Sequence, residues 1–219
     1  MIVIYCLDLV IQFLDTWQKY PYNIDIIDIY IIDTMVAGSI LPVALHKNKL
    51  YFLFGKENSM EDSAKGFSDF GGRADGQETP YDAAMREGGE ELTGFLGGEK
   101  EVRALVKKNG GVYPITVDTY HVHIFAMEYD ENLPKYYNQN HRFLWEKMDK
   151  QLLNETKLFE KIEIQWFSLE DMRRRKGEFR QFYQEMVAKF LADAPKIRRF
   201  IGSKMKRVVK RLSTRKNRS

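Results

Sequence analysis

The sequence predicts a protein of the α/β or α+β class, because short apolar runs typical of strands are interspersed with segments typical of helices. The first two strands are predicted at 40–45 and 50–54, on either side of a polar turn over 46–49. The clearest helix is predicted from Thr79 to about Leu92. No internal repeat accompanies these elements.

The other elements follow from the same patterns. Before the first strand, residues 1–37 form an acidic, aliphatic extension without clear periodicity. A polar loop is predicted over 55–65, a strand over 116–127, a helical insertion over 133–153, a strand over 162–167 and a long closing helix over 169–194. The expected organisation is therefore an extension at 1–37, a main domain at 38–195 and a basic tail at 196–219.

The helix after residue 79 has clear start and stop signals. Thr79 suits the N-cap, Pro80 the first helical position and Asp82 the first turn, where its charge complements the helix dipole. Gly94 lies where a residue in the left-handed conformation ends a helix.

Composition excludes several classes of protein. The 219 residues are 44% apolar and 30% charged, which is typical of a globular chain and excludes general disorder. A single cysteine, Cys6, excludes an internal disulfide framework and a cysteine-rich zinc module. Acidic residues interrupt the apolar runs near the N-terminus, so no membrane span is predicted. We expect a soluble protein of the cytoplasm.

Charge is distributed unevenly along the chain. Residues 196–219 contain eleven Lys or Arg and no Asp or Glu, whereas the whole chain has a net charge of only +3. The tail also carries apolar residues at helical spacing, such as Ile197, Ile201 and Val208. Three interpretations stay open: a helix docked on the domain, a segment that binds RNA or another polyanion, and a nuclear targeting signal.

Three glutamates share one face of the predicted helix. At about 100° per residue, Glu90 and Glu91 lie within about 60° of Glu87. Clustered carboxylates repel one another, and a hard divalent cation such as Mg²⁺ or Mn²⁺ relieves that repulsion. A solvated acidic surface is the simpler interpretation. Against it stand Gly88 and Gly89, which each cost about 0.8–1 kcal/mol in a helix and indicate close packing there.

The residues around these glutamates resemble the signature of the Nudix hydrolases. That signature is Gly, five residues, Glu, seven residues, Arg-Glu, an aliphatic residue, any residue and Glu-Glu. The matching positions are Gly72, Glu78, Arg86, Glu87, Glu90 and Glu91. Two positions depart from it, because Gly88 replaces the aliphatic residue and Gly94 comes one residue late. The overall character is similar to Nudix proteins of large DNA viruses, which would place the protein in the host cytoplasm.

The resemblance implies a fold and a set of site residues. The fold would be an α/β/α sandwich with a mixed sheet, extended by the N-terminal segment and a basic C-terminal helix. The implied metal ligands are Glu87, Glu90, Glu91 and the carbonyl of Gly71. Glu78 and Gly72 would brace the loop before the helix, with Arg86 bound to Glu78. The general base would be Glu87 or a downstream glutamate, of which Glu160 is preferred to Glu163.

The function implied is metal-dependent hydrolysis of the pyrophosphate bond of a nucleoside diphosphate linked to another moiety. Two substrates are considered, a small nucleotide and the 5′ cap of an RNA, whose chain the basic tail would contact. The alternative is a Nudix-fold protein that binds nucleotide or RNA without catalysis. The intact glutamates argue against it.

Two weaker signals are interpreted as structural. His121 and His123 share one face of a predicted strand, but no third metal ligand accompanies them. Tyr136, Phe143 and their aromatic neighbours could stack on a base, although helix core is the simpler interpretation.

Overall fold

The computed structural model describes residues 36–58, 65–155 and 160–216, with side chains placed except at 150, 154–155 and 205–216. Nearly all of the predicted N-terminal extension lies outside these residues. The described strands are β1 (Ala37–His46), β2 (Lys49–Glu57), β3 (Phe67–Ser68), β4 (Phe70–Arg73), β5 (Val112–Val117), β6 (Tyr120–Ala126) and β7 (Lys161–Ser168). The described helices are α1 (Pro80–Glu91), α2 (Glu99–Lys108), α3 (Asn132–Lys147), α4 (Lys150–Glu155), α5 (Leu169–Arg174) and α6 (Tyr183–Lys216).

The seven strands form one mixed sheet. Its order is β3-β2-β1-β6-β5, with β4 paired to β1 and β7 paired to β2. The pair β1–β6 is parallel and the other pairs are antiparallel. Lys47 and Asn48 join β1 to β2 with φ values of 45° and 61°, as a tight two-residue hairpin turn requires.

Helices cover both faces of this sheet. On one face, Met172 of α5 and Phe190 of α6 pack in a cluster with Phe52 of β2. On the other face, Met85 of α1 and Val102 of α2 pack in a cluster with strand and α3 residues. These two buried layers confirm the expected α/β/α sandwich with a mixed sheet.

The predicted strand over 116–127 is present as β6 from Tyr120 to Ala126, but its start is wrong, because residues 116–117 belong to β5. Chain reversal occurs at Asp118, whose φ is 49°, so that β5 and β6 pair as a hairpin with Val117 opposite Tyr120. Aspartate tolerates this left-handed conformation better than most residues. Helix α2, just before the hairpin, has no counterpart among the predicted elements.

The predicted closing helix over 169–194 is also wrong in its first half. Helix α5 ends at Arg174, a short 3₁₀ turn follows, and α6 begins at Tyr183. The interruption lets Phe179 pair with Phe67 of β3 and become 98% buried. The predicted insertion over 133–153 is helical, but it consists of α3 and α4.

Helix α6 runs without a break from the main domain into the basic tail. It contains Pro195, and the first apolar residues of the tail, Ile197 and Ile201, are fully buried in the core. Phe200 packs against that core near Tyr113. The docked interpretation therefore holds for the start of the tail. In the part of the chain that the structure describes, no helix is long and apolar enough to cross a membrane.

Candidate active site

Arg86 lies at the centre of a group of carboxylates at the start of the candidate site. Its Nε and Nη2 atoms donate to the two oxygens of Glu78 at 3.0 Å each. Its Nη1 donates to Glu87 at 2.7 Å and to Glu90 at 3.3 Å. One guanidinium thus holds the loop glutamate and two helix glutamates together. We call Glu87 and Glu90 the outer pair.

The guanidinium also binds the loop backbone, because Nη2 donates to the carbonyl of Arg73 at 3.1 Å. Hydrogen bonds from Arg86 lower the pKa of Glu78. Glu78 in turn accepts from the backbone N–H of Asp75 at 2.9 Å. The loop between β4 and α1 is therefore fixed from both sides.

Glu87 lies in a tight and largely dry position. Only 16% of its side chain is exposed, and burial raises its pKa, although Arg86 opposes the rise. Gly72 lies directly against it, because a Cβ atom at position 72 would come within 2.5 Å of Oε1 of Glu87. Glycine at 72 therefore lets the carboxylate approach the β4 backbone.

The glycines of α1 let the helix pack closely on its surroundings. A Cβ atom at Gly88 would lie 2.3 Å from Cδ1 of Ile40 in β1, so the strand residue fills the space of the missing side chain. At Gly89 a Cβ atom would lie 3.0 Å from the backbone at Gly98 and Glu99. Gly88 lies where the signature has an aliphatic residue. The space that such a side chain would fill from the helix is filled here by Ile40 from the strand.

A second group of charges is buried beneath the outer pair. Glu91 is 95% buried, and its Oε2 accepts from the N–H of Gly71 at 2.7 Å while its Oε1 lies 3.0 Å from Nζ of Lys161. Lys161 also donates to Glu57 at the end of β2, which accepts from Arg180 at 2.6 Å as well. We call Glu57 and Glu91 the inner pair.

Burial governs the charges of this inner group. Desolvation raises the pKa of Glu91, although the ammonium of Lys161 opposes the rise. Burial disfavours the charged form of Lys161, but Glu91 and Glu57 raise its pKa overall. A carboxylate in this position stays ionised only with a cation beside it.

Asp69 forms a third buried group between the sheet and α6. It accepts hydrogen bonds from Oγ of Ser39 and the hydroxyl of Tyr120, both at 2.5 Å. Burial raises its pKa despite these bonds. Ser39 lies on β1 and Tyr120 on β6. These hydrogen bonds therefore connect Asp69, the residue directly before β4, to the two central strands of the sheet.

The donor set fits a hard divalent cation at the outer pair but not at the inner pair. Glu87 and Glu90 are carboxylates that share one cationic partner, Arg86, and 63% of the Glu90 side chain is exposed. Each oxygen of Glu91 already has a donor. Within the described ranges, no three His, Cys, Asp or Glu side chains are grouped so that they could hold a metal ion.

The remaining predicted residues lie near these groups. The carbonyl of Glu160 accepts from the N–H of Asn58, and its carboxylate contributes to the raised pKa of Glu91. Glu163 lies 4.0 Å from Lys56, in an exposed pair. Glu160 is thus electrostatically coupled to the inner pair, and its role as a base stays a prediction.

The sequence does not indicate that Glu57, Asp69, Lys161 and Arg180 belong to the site. None belongs to the glutamate motif, and the pair Glu57–Lys161 joins residues that are 104 positions apart. The one available signal was a lysine directly before one predicted strand and a glutamate in the loop that follows another. That signal does not reveal which strands are neighbours.

The two weaker signals have structural explanations in part. His123 is buried, with Nδ1 3.1 Å from the carbonyl of Ser39 and its ring edge against Tyr81. Since a carbonyl only accepts, Nδ1 carries the proton. Of the aromatic residues on α3, Tyr137 is buried, whereas Tyr136 and Phe143 are 62% and 59% exposed.

No protein-family model matches the chain, and no curated protein matches it. Among solved structures, an Ap4A hydrolase of C. elegans in a binary complex matches with a TM-score of 0.42 and 16% identity. The alignment covers 74% of this chain and 99% of that chain. A likeness at this level does not identify a family, and the viral resemblance stays a prediction.

Proposed function

We propose that this protein is a Nudix pyrophosphohydrolase, which cleaves the pyrophosphate bond of a nucleoside diphosphate linked to another moiety. The observation that carries the proposal is the arrangement around Arg86. One guanidinium holds Glu78 by two hydrogen bonds and also binds Glu87 and Glu90. These are the residues that the signature places in register, and they are separated by eight, one and four positions from Arg86.

The reaction requires compensation of the negative charge on the pyrophosphate. A divalent cation, Mg²⁺ or Mn²⁺, would neutralise phosphate oxygens and lower the pKa of a bound water. Glu87 and Glu90 would hold it, and Arg86 keeps their carboxylates in one place. The Gly71 carbonyl stays a predicted further ligand, whereas Glu91 is left out of the proposed metal site because donors already contact both of its oxygens.

A carboxylate must also remove a proton from the attacking water. Glu87 is the first candidate, because only 16% of its side chain is exposed and it lies at the proposed metal position. Glu160 is the second candidate. Comparison of the pH–rate profiles of Glu87→Gln and Glu160→Gln would separate them, since loss of the base removes the acidic limb of the profile.

The test is hydrolysis of a substrate panel in Mg²⁺, with capped RNA, a free cap dinucleotide, nucleoside triphosphates, dinucleoside polyphosphates and diphosphoinositol phosphates. We expect turnover of at least one substrate, abolished by excess EDTA. Glu87→Gln should lower kcat by about 10²–10⁴, as expected for removal of a positioned catalytic group.

Glu99→Gln is the matched control, because Glu99 is an exposed glutamate that pairs with Arg103 on α2. It should keep the rate of the unmodified protein. Turnover that persists in EDTA, or a Glu87→Gln variant that melts normally and keeps full activity, would contradict the proposal. Tight binding of a panel member without turnover would instead favour the non-catalytic alternative.

A further inference from the structure

Lys161 is a lysine whose side chain is almost completely removed from solvent. Its exposed fraction is 1%, and those of the Glu57 and Glu91 side chains are 6% each. The ammonium has three N–H donors, and it has three oxygen partners: Glu57, Glu91 at 3.0 Å and Ser68 at 3.1 Å. Its hydrogen-bonding capacity is therefore filled by groups that lie beside the candidate metal site.

The surroundings hold this side chain in place. A Cβ atom at Gly55 would lie 2.8 Å from Cγ of Lys161. The aliphatic part of the lysine therefore packs directly on the backbone of Gly55, where a side chain would clash. The hydroxyl of Tyr137 donates to the carbonyl of Lys161 at 2.8 Å and lies 3.2 Å from that of Glu91. The fold thus provides a fitted position for a lysine between the two glutamates.

The inner pair already has two cationic partners. The inner pair contributes two negative charges, and Lys161 with Arg180 contributes two positive charges. A divalent cation bound in addition would have to share these two carboxylates with Lys161 and Arg180, at a position where the inner pair and Lys161 are almost completely removed from solvent. Burial of uncompensated charge is strongly unfavourable, so Lys161 and a divalent cation exclude each other here.

We propose that Lys161 is an internal cation that takes the place of a divalent metal ion at Glu57 and Glu91. Metal ions then bind at the outer pair, and Glu91 is a positioning residue that holds the N–H of Gly71. The inference deepens the proposed function by fixing which carboxylates bind metal. Its central claim, exclusion of metal from the inner pair, does not require that the protein be catalytic.

The first test is Lys161→Met, with Mn²⁺ binding counted by electron paramagnetic resonance and stability measured as Tm. Removal of the ammonium should let the inner pair bind Mn²⁺, so the variant should bind about one more ion per chain than the unmodified protein. Saturating Mn²⁺ should raise its Tm by about 5 °C more than that of the unmodified protein. The double variant Lys161→Met/Glu91→Gln should lose both gains.

Lys56→Met is the matched control, because Lys56 forms an exposed pair with Glu163. It should show no extra ion. An unchanged ion count in folded Lys161→Met would overturn the inference. So would an extra ion that survives the Glu91→Gln change.

Glu91→Gln alone provides a test that does not need the Lys161 variant to fold. Lys161 already binds the carboxylate of Glu91. Loss of that carboxylate in Glu91→Gln should therefore weaken Mn²⁺ binding to the otherwise unmodified protein by less than fivefold. A loss of fivefold or more would show that Glu91 is itself a ligand and overturn the inference. Failure of the proposed function would appear separately, as absence of turnover across the substrate panel.

Discussion

Arg86 and Lys161 are both cations held among carboxylates, yet their surroundings differ. The Arg86 side chain is 22% exposed and binds three glutamates, whereas that of Lys161 is 1% exposed. The planar guanidinium can join several carboxylates at a surface that remains open to a ligand. The compact ammonium instead fills a closed position. This difference separates the outer pair, which we propose binds metal, from the inner pair.

The buried His123 predicts a dependence of stability on pH. Burial lowers its pKa in the folded protein. The unfolded chain therefore binds a proton at a higher pH than the folded one, and the stabilising contribution is present above the usual pKa and lost on acidification. We expect the free energy of unfolding to fall more steeply from pH 7 to pH 5 for the unmodified protein than for His123→Asn.

Urea unfolding at several pH values measures this difference directly. His46→Asn serves as the control, because His46 lies at the end of β1, six residues along that strand from Ile40, the residue paired with His123. Parallel pH profiles for the unmodified protein and His123→Asn would contradict the prediction.

At the scale of the element, α1 allows a test of the packing at Gly88. Gly88→Ala should destabilise the protein by about 1–3 kcal/mol, since the new methyl group would overlap the Ile40 side chain. In an Ile40→Ala background the same change should be neutral or stabilising, because alanine favours a helix over glycine by about 1 kcal/mol. Urea unfolding of the four proteins in this double-mutant cycle gives the coupling.

Gly177→Ala is the control, because a Cβ atom at Gly177 would meet no other atom within 4 Å. Gly76→Ala is less suitable, because φ at Gly76 is +54° and alanine would be strained there. Additive effects of the Gly88 and Ile40 changes would show that the two residues do not share this space.

The elements that were predicted correctly have local causes. Thr79 caps α1 by accepting from the N–H of Asp82, and Pro80 begins the helix, as the sequence indicated. The first left-handed residue after α1 is Thr93, with φ of 51°, one position before the predicted Gly94, whose φ is 71°. The strands at 40–45, 50–54 and 162–167 were likewise found from their apolar runs. Here a few neighbouring residues determine the structure.

The elements that were missed depend on distant contacts or on the conformation of a single residue. Phe179 interrupts the closing helix because it packs beside Phe67, more than a hundred positions earlier. The split at Asp118 rests on one residue in a left-handed conformation within an otherwise alternating segment. Likewise, the motif predicted the outer pair, whereas the inner group required knowledge that β2 and β7 are neighbours.

At the scale of the whole molecule, the carboxylates and the basic tail lie at opposite ends of β1. Gly38 pairs with Gly72 beside the outer pair, whereas Gly202 of α6 lies near Leu45. Seven residues of extended strand separate these points, which is roughly 23 Å. The tail therefore starts far from the proposed chemistry, and any effect on a small substrate must be transmitted through stability.

The position of the buried residues determines which truncation tests RNA contact. Removal of 196–219 would take Ile197 and Ile201 out of the core, and should lower Tm and all activities together. Removal of 205–219 keeps those residues but deletes seven of the eleven cations of the tail. The shorter deletion thus removes most of the positive charge of the tail without removing the buried residues Ile197 and Ile201.

We expect deletion of 205–219 to raise KM for long capped RNA and to leave kcat/KM for a mononucleotide unchanged. If the deleted cations contact phosphates, the affinity of the full chain for single-stranded RNA should fall with salt by a slope of roughly −0.7 per contact, and the deletion should flatten that slope. The measurement is kcat/KM for both substrates at two salt concentrations, with Tm recorded for each protein.

A variant in which the seven cations are replaced by Gln is the control for length, and should behave like the deletion. Equal losses on both substrates, or a salt slope that the deletion leaves intact, would reject RNA contact and leave docking of α6 as the function of the tail.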